Sequence, residues 1–358
     1  MDIKKRKTDH IRIALEEEVE TTVTTWFECV KLIHHALPEL NFGEVKTDTY
    51  LFGKKFGAPI LIEAITGGTP LGAEINKILS ELAEKYHLPF MVGSQRVAIE
   101  NPELAWTFKT SNEADVFLIG NIGAQELVEY GQEEIEQLLD MINADALAVH
   151  LNPLQEIVQP EATARYKDMI KRLHELPGEV DVPILVKETG AGISKEVSKL
   201  LQGAGVDAID VSGVGGTSWS AIEHYRGREK KERKKAALGK RFWDWGIPTA
   251  ASILEVKNHA KHTEIIASGG IRNGVDIVKA LALGADFTGF ALPFLKALYK
   301  TPDSPKNVER VEEFVVRVLS EIKTTLYLTG CKTVGEIEKK EKVLLPPLYH
   351  WAQQRKLL

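Results

Sequence analysis

The sequence predicts a parallel (β/α)8 TIM barrel with an N-terminal extension and a helical C-terminal extension. Eight short apolar runs follow one another along the 358 residues, and longer amphipathic segments separate them. No GxGxxG motif follows the first run, which weakens the alternative of an open doubly wound sheet that binds a dinucleotide. We therefore expect residues 1–358 to form a single barrel domain, with an extension, 1–57, before the first strand.

The apolar runs are typical of strands that are buried on both faces, because each is rich in Val, Ile, Leu or Phe and ends at a small or polar residue. They lie at 58–64, 88–94, 115–121, 146–152, 182–188, 206–213, 264–270 and 286–292. Helices are predicted where apolar positions recur at three- and four-residue steps. They lie at 72–87, 194–205, 273–285 and 308–330, the last within the C-terminal extension 303–358.

One connection between a strand and a helix is unusually long. Residues 213–248, thirty-six in all, follow the sixth strand and contain a basic run from Arg226 to Arg241. Long connections of this kind are often functional, so we expect a mobile lid, with a solvated basic face as the alternative.

The composition argues against several classes of protein. A formal charge of −6 argues against a general nucleic-acid binder. Cys29 and Cys331 lie far apart without a CxxC partner, so we expect neither a disulfide framework nor a zinc site. A reducing cytoplasm is the compartment that this cysteine usage favours. No apolar run reaches the roughly 18 residues that cross a bilayer, so no membrane association is expected.

Two strand ends carry residues that could bind a ligand. SGGIRNG, after the seventh strand, lies where barrels often hold phosphate on backbone N–H groups, and Arg272 could add a charged contact. Tight strand-to-helix turns are the alternative explanation of these glycines. Lys187 ends the apolar run VPILVKE, where an unpaired lysine is unfavourable. It could form a Schiff base, contact a cofactor ring, or pair with Glu188 or another carboxylate of the barrel.

The fourth strand ends in HLNPLQE, residues 150–156. His150, Asn152 and Gln155 supply neutral hydrogen-bonding groups, and Glu156 adds one carboxylate. Such a face suits an anionic ligand that carries Mg²⁺, since this cation prefers one or two carboxylates together with ligand phosphates.

These motifs belong to a set that occurs in order over essentially the whole chain: RKTDHI (6–11), AITGG (64–68), GSQR (93–96), HLNPLQE (150–156), Lys187, SGVGGTSW (212–219), GGIR (269–272) and GFAL (289–292). The set resembles the type 2 isopentenyl-diphosphate delta-isomerases, which are FMN-dependent (β/α)8 enzymes. That family interconverts isopentenyl and dimethylallyl diphosphate in isoprenoid biosynthesis. The reaction is a 1,3-allylic proton shift in which reduced FMN serves as the acid/base cofactor and Mg²⁺ holds the diphosphate.

The resemblance implies a role for each matching residue. Glu156 would bind the metal, Lys187 would face the N1/O2 edge of the flavin, and Gln155 and His150 would assist reduced FMN in catalysis. The substrate would contact Arg6, Lys7, Ser94, Gln95, Arg96, His150, Asn152 and Gln155. The FMN would contact Ala64, Ile65, Thr66, Ser94, Asn121, Lys187, Ser212, Thr217, Gly270, Ile271, Arg272, Ala291 and Leu292.

The resemblance also implies partners and surroundings. The extension 1–57 would cover the substrate, with Arg6 and Lys7 supplied by the same chain or by a neighbouring subunit, and Trp219 would lie closer to the flavin than Trp243 or Trp245. A homo-oligomer, either a tetramer or an octamer, is expected, with NADPH or another reductant to reduce the flavin. An FMN-dependent oxidoreductase of the hydroxy-acid oxidase or dihydroorotate dehydrogenase kind is the closest alternative. An RNA-binding protein acting through 226–241 is a more distant one.

Overall fold

The computed structural model describes residues 3–110, 115–161, 164–259 and 262–358. Its N-terminal extension starts with a helix, α1 (Ile3–Glu16), and continues into a short strand, β1 (Val30–Leu32). An antiparallel hairpin follows, built from β2 (Thr49–Leu51) and β3 (Lys54–Phe56).

The centre of the fold is a closed barrel of eight parallel strands, as the sequence predicts. The strands pair with their neighbours in chain order, and the last pairs with the first. They are β4 (Ile60–Ile62), β5 (Phe90–Met91), β6 (Leu118–Gly123), β7 (Ala146–His150), β8 (Ile184–Lys187), β9 (Ala208–Asp210), β10 (Glu264–Ala267) and β11 (Phe287–Phe290). Because all the strands run the same way, their carboxyl ends meet at one rim, and the side chains that follow them converge there.

The barrel interior is packed with apolar side chains, so it is a core and not a pore. Leu61, Ile119 and Leu185 are fully buried in one inner cluster. The β2–β3 hairpin adds Leu51 and Phe56 to this cluster and so closes the amino end of the barrel. The opposite, carboxyl end is the one left to bind a ligand.

Helices surround the barrel and connect its strands. Those of the barrel region are α2 (Pro70–Tyr86), α3 (Arg96–Glu100), α4 (Ala124–Glu129), α5 (Gln132–Asp140), α6 (Pro153–Val158), α7 (Met169–Glu175), α8 (Lys195–Gly203), α9 (Trp219–Glu229), α10 (Arg233–Arg241), α11 (Thr249–Lys257), α12 (Gly274–Ala282) and α13 (Leu292–Leu298). Three of them, α2, α8 and α12, confirm helices that the sequence predicts. Ser194 caps α8, as expected, because its hydroxyl accepts a hydrogen bond from the N–H of Val197 at 3.4 Å.

The C-terminal extension is largely helical but also contains a strand. It holds α14 (Val308–Leu328), a final helix, α15 (Leu348–Arg355), and between them β12 (Lys342–Leu344). β12 pairs antiparallel with β1, so the two extensions join in a small sheet that the sequence pattern does not predict. Within the described ranges, no helix is both long and apolar enough to span a bilayer.

The long connection 213–248 is not an irregular loop. It forms two helices, α9 and α10, which pack together as a hairpin beside α6 and α1. The interpretation of its basic run as a solvated face is wrong for Arg226, whose side chain is fully buried between Glu223 and Glu161. These helices cover one side of the ligand-binding end of the barrel.

Candidate active site

A cavity of about 280 Å³ lies at the carboxyl end of the barrel, and α1 and α9 contribute to its wall. Its volume is close to the lower end of the range typical of small-molecule sites. Most of the site residues that the sequence analysis names contribute to its lining. They are Arg6, Lys7, Ala64, Ile65, Thr66, Ser94, Arg96, Asn121, His150, Asn152, Gln155, Glu156, Lys187, Ser212, Thr217, Gly270, Arg272, Ala291 and Leu292.

Two of the named residues lie outside the cavity lining. Gln95 is fully buried; its side-chain oxygen accepts a hydrogen bond from the N–H of Asn121 at 3.0 Å, and its amide donates to the carbonyl of Leu138 at 2.9 Å. Gln95 therefore fixes the loop after β5, and its side chain is not among those that line the cavity. Ile271 is also fully buried and packs into the surrounding hydrophobic core.

The glycine turns after β9 and β10 bring backbone close to the cavity. Gly269 and Gly270 have φ values of +92° and +76°, and Gly215 has a φ of +133°. A Cβ at Gly270 would collide with the backbone of Gly215, so these positions allow the two turns to touch. Glycine at such turns lets backbone approach a ligand closely, which suits an anion held by backbone N–H groups.

Arg272 lines the same part of the cavity but already has a protein partner. Its guanidinium forms an ion pair with Glu20, in the segment that follows α1, and Glu20 also lies 3.7 Å from Lys296. These cations hold the pKa of Glu20 below its usual range, although burial opposes them. A phosphate at this position would share Arg272 with Glu20.

Lys187 lies in a buried cluster of charges at the end of β8. Its Nζ is 3.2 Å from Oδ2 of Asp210 and 3.6 Å from Oε2 of Glu63, and it donates to the carbonyl of Glu188 at 2.8 Å. Burial favours the neutral amine, but the charges of Glu63 and Asp210 outweigh it and raise the pKa of Lys187. A Schiff-base nucleophile needs a neutral amine, so the cluster disfavours that alternative.

The carboxylates around Lys187 differ from the simplest expectation. Glu188 directs its carboxylate to the N–H groups of Thr189, at 2.6 Å, and Ala191, at 2.5 Å. Asp210 and Glu63 face the lysine instead. Sequence reasoning missed both, although the acidic residues inside the apolar runs APILIEA and VDAIDVSG were a usable signal.

His150 is oriented by the end of the neighbouring strand. The amide of Asn121 donates to the carbonyl of Val92 at 3.1 Å, which turns its oxygen towards Nδ1 of His150 at 2.8 Å. Burial lowers the pKa of His150 to about 4, so the ring is neutral at pH 7. With Nδ1–H donating to Asn121, Nε2 of His150 is left as the acceptor.

The residues after His150 form a connected network at the start of α6. The amide of Asn152 donates to the side-chain oxygens of Gln155, at 3.1 Å, and Glu156, at 3.2 Å. Tyr166 donates its hydroxyl to Asn152 at 2.8 Å. Burial raises the pKa of Glu156, and the amide of Asn152 opposes this. The network aims one carboxylate and two amides at the same cavity.

The helix α1 covers the cavity from within the same chain. Lys7 donates to the carbonyl of Ser94 at 2.8 Å and lies over the ring of Phe108, 5.0 Å from its centroid. Burial, aided by the charge of Arg6, lowers the pKa of Lys7 to about 7. Arg6 and Lys7 therefore reach the cavity without help from a second subunit.

The helix α9 connects this cover to the polar network. Glu223 is fully buried and accepts hydrogen bonds from Gln155, at 3.3 Å, and from His10 of α1, at 3.0 Å. The ring of His10 also packs edge-on against Trp219, with 5.0 Å between centroids. Glu223 and His10 were missed because neither follows a strand in the sequence.

The other aromatic and charged residues of this region are further from the cavity or already paired. Trp219 lines the cavity, whereas the indole of Trp243 donates to the carbonyl of Glu20 and Trp245 is largely exposed. Arg96 forms ion pairs with Glu100 and Glu126, and Glu126 lines the cavity as well.

Comparison with solved structures supports the fold. A mandelate oxidase with (S)-2-phenylpropionate aligns with a TM-score of 0.64 and 18% identity, over 96% of this chain and 98% of that one. A variant mandelate oxidase with benzaldehyde aligns with a TM-score of 0.66 over the same shares of the two chains, also at 18% identity. At this level of identity, the alignments show only that the barrel fold is shared.

Comparison of sequences is more specific. Residues 136–343 match the family model described as FMN-dependent dehydrogenase. The isopentenyl-diphosphate delta-isomerase of Ignicoccus hospitalis is 46% identical over 99% of this chain and 97% of its own length. The chain belongs to the isopentenyl-diphosphate delta-isomerase family and to the FMN-dependent dehydrogenase family. Isomerases of the same name from Pyrobaculum aerophilum and Thermococcus onnurineus are 45% and 43% identical over 100% and 98% of this chain, and over 99% and 94% of their own lengths.

Proposed function

We propose that the chain interconverts isopentenyl diphosphate and dimethylallyl diphosphate, with reduced FMN and Mg²⁺, as a step of isoprenoid biosynthesis. The observation that carries the proposal is that one cavity is lined by a hydrogen-bonded polar network, by a buried lysine and by close-packed glycine turns. Full-length relatives of that name support the same substrate class.

The residues present fit FMN. Glu63 leaves one buried carboxyl oxygen without a hydrogen-bond partner among the described residues, at a point of the cavity wall where a cofactor would supply contacts. The protonated Lys187 would hold the negative charge of reduced flavin, and the turns at Gly215 and Gly270 would hold its phosphate beside Arg272. When bound, the reduced flavin supplies the acid/base group that moves the proton.

The residues present also fit a magnesium diphosphate. The described residues contain no cluster of three or more His, Cys, Asp or Glu placed to hold a metal, so Glu156 would need ligand oxygens to complete the coordination of Mg²⁺. Arg6, Lys7 and Arg96 supply positive charge, and Asn152 and His150 line the same part of the cavity. Nε2 of neutral His150 is an acceptor, so it would donate to a diphosphate oxygen only after taking up a proton. Ser94 also lines the cavity, and the side chain of Gln95 lies outside the lining and fixes the loop that carries Ser94.

The remaining task of the chain is to position the hydrocarbon in a dry site. Gln155 is held by Asn152 and Glu223, so its amide is fixed at the wall of the cavity that Trp219 also lines. An amide does not exchange protons readily at neutral pH, so Gln155 would orient the alkene. His150, neutral through burial, would hold the diphosphate end only once the bound anion has raised its pKa and Nε2 carries a proton. Closure by α1 excludes water, which an unactivated alkene requires.

Assembly and supply are part of the same proposal. We expect a homo-oligomer of four or eight chains, a cytoplasmic location, and NADPH or another two-electron donor to reduce the flavin. One domain over residues 1–358, with 1–57 as its substrate-covering part, suits the way that α1 lines the cavity.

The test is an anaerobic conversion assay with FMN, dithionite, Mg²⁺ and isopentenyl diphosphate, followed by proton NMR. Dimethylallyl diphosphate should form, and its formation should stop when either the reductant or Mg²⁺ is left out. If the flavin binds but the diphosphate does not react, the isomerase proposal fails. Bleaching of bound flavin by a 2-hydroxy acid or by dihydroorotate would then favour an oxidoreductase.

A further inference from the structure

The charge cluster beneath the cavity does not balance. Lys187 carries one positive charge, and it faces two carboxyl groups, those of Glu63 and Asp210. All three side chains are at least nine-tenths buried, so bulk water screens the difference only weakly. Two buried carboxylates beside one ammonium leave an uncompensated negative charge, which a buried site disfavours.

The hydrogen bonds decide which carboxyl group keeps its charge. Oδ1 of Asp210 accepts from the hydroxyl of Ser268 at 2.7 Å and from the N–H of Ser212 at 3.1 Å. Among the described residues, Oε1 of Glu63 has no hydrogen-bond donor, and Oδ2 of Asp210 has only the ion pair with Lys187 at 3.2 Å. One proton on Glu63, shared with Asp210, would satisfy both of these oxygens.

Among the described residues, the neighbouring strand adds no charged side chain beside Glu63. On the neighbouring strand β11, Gly289 presents no side chain, and a Cβ there would collide with the carboxyl group of Glu63. The charged groups that face Glu63 are therefore Lys187 and Asp210. Burial, with the charge of Asp210 adding to it and that of Lys187 opposing it, raises the pKa of Glu63 to about 8.

We propose that Glu63 is a proton-binding group of the cofactor site and that, at a pH where it is ionised beside oxidised flavin, it takes up one proton when the flavin accepts two electrons. This inference rests on the proposed function, in which Lys187 faces the flavin. A two-electron donor such as dithionite or NADPH reduces FMN; one proton binds at the flavin and one negative charge remains beside Lys187. That charge increases the affinity of Glu63 for a proton, so the second proton of the balance goes to its carboxylate.

The pH dependence of the flavin potential measures this coupling. For a two-electron couple, each proton taken up shifts the midpoint potential by about 30 mV per pH unit. Where Glu63 is protonated in both redox states, the slope should be about 30 mV per pH unit, for the flavin proton alone. From about pH 8 upwards, where oxidised flavin leaves Glu63 ionised, it should steepen to about 60 mV per pH unit.

The experiment is a redox titration of the FMN-loaded protein, with the potential measured from about pH 6 to pH 10. In Glu63→Gln the slope should stay near 30 mV per pH unit throughout. The control is Glu264→Gln, which removes a half-buried carboxylate with a raised pKa at the amino end of the barrel, and it should keep the wild-type break.

The outcomes separate this inference from the proposed function. A plot of wild-type midpoint potential against pH that has no break would overturn this inference, since no second proton would be taken up. A plot that is steep at low pH and shallow at high pH would also overturn it, since the second proton would then bind the flavin itself. A steep segment that persists in Glu63→Gln would do the same. If Glu63→Gln does not fold or bind flavin, counting the protons taken up by the wild-type protein on reduction decides: two per flavin above about pH 8 supports the inference, and one contradicts it. A protein that binds no FMN would contradict the proposed function, and this inference with it.

Discussion

Replacing Arg226 with methionine tests the buried charges that tie α9 to α6 and α1. The guanidinium pairs with Glu223 and lies 3.1 Å from a carboxylate oxygen of Glu161. Both Arg226 and Glu223 have fully buried side chains. His10, which also hydrogen-bonds Glu223, adds no second cation in the wild-type protein, because burial lowers its pKa.

The magnitude follows from what the substitution leaves behind. Removing one partner of a buried ion pair costs about 3–5 kcal/mol, because the other charge stays buried without compensation. We expect Arg226→Met to lower the free energy of unfolding by that amount. The double variant Arg226→Met, Glu223→Gln removes both charges, and it should recover all but about 1–2 kcal/mol of the loss. Lys230→Met is the matched control: Lys230 also pairs with Glu161 but is 28% exposed, so its loss should be at most about 1 kcal/mol.

The assay is urea denaturation of the FMN-free proteins, followed by circular dichroism and tryptophan fluorescence. Coincidence of the two transitions establishes that one free energy describes the unfolding. The reasoning is refuted if Arg226→Met loses less than about 1 kcal/mol, or if the double variant loses the sum of the two single losses.

Three further predictions concern the cavity. Glu156→Gln should reduce Mg²⁺-dependent turnover roughly 100-fold, since a metal contributes several kcal/mol to catalysis, while the Kd for FMN stays unchanged; weaker FMN binding would contradict the assignment. Gly269→Ala should weaken FMN binding at least about tenfold, since φ is +92° and the new Cβ would meet the carbonyl of Gly213. The control Gly178→Ala, with open space around it, should leave FMN binding unchanged, and equal effects of the two variants would argue against binding of FMN by the glycine turns. When magnesium pyrophosphate binds between pH 7 and 10.5, Lys7 should take up a proton, because its lowered pKa rises again beside an anion. Calorimetry in two buffers with different ionisation enthalpies should detect this proton uptake, and the Lys7→Met variant should lose it.

The barrel could be predicted from the sequence because parallel strands buried on both faces are continuous apolar runs. The bounds were less predictable: the run 88–94 supplies only Phe90–Met91 to the sheet, and the third strand extends to Gly123 beyond its predicted end. Backbone pairing ends where neighbouring strands end, and a single run does not contain that information. The pairing of β1 with β12 joins residues more than 300 positions apart, for which no local pattern exists.

The site was predictable where residues follow strands. His150, Glu156 and Lys187 all reach the cavity, because strand ends in a parallel barrel meet at one rim. Glu223 and Arg226 were not predictable in their positions, since they depend on how the α9–α10 hairpin folds against α6. Gln95 shows the converse: it follows a strand, but its side chain is used by the backbone of Leu138 in α5 and of Asn121 in β6.

Isomerisation in D₂O under anaerobic conditions, with FMN, dithionite and Mg²⁺, tests the proposed proton shift most directly. Deuterium should enter the methyl group that forms in dimethylallyl diphosphate, while the amount of reduced flavin stays constant from the first turnover to the last. Product without deuterium, or oxidation of one flavin for each molecule converted, would contradict a proton shift at this cavity.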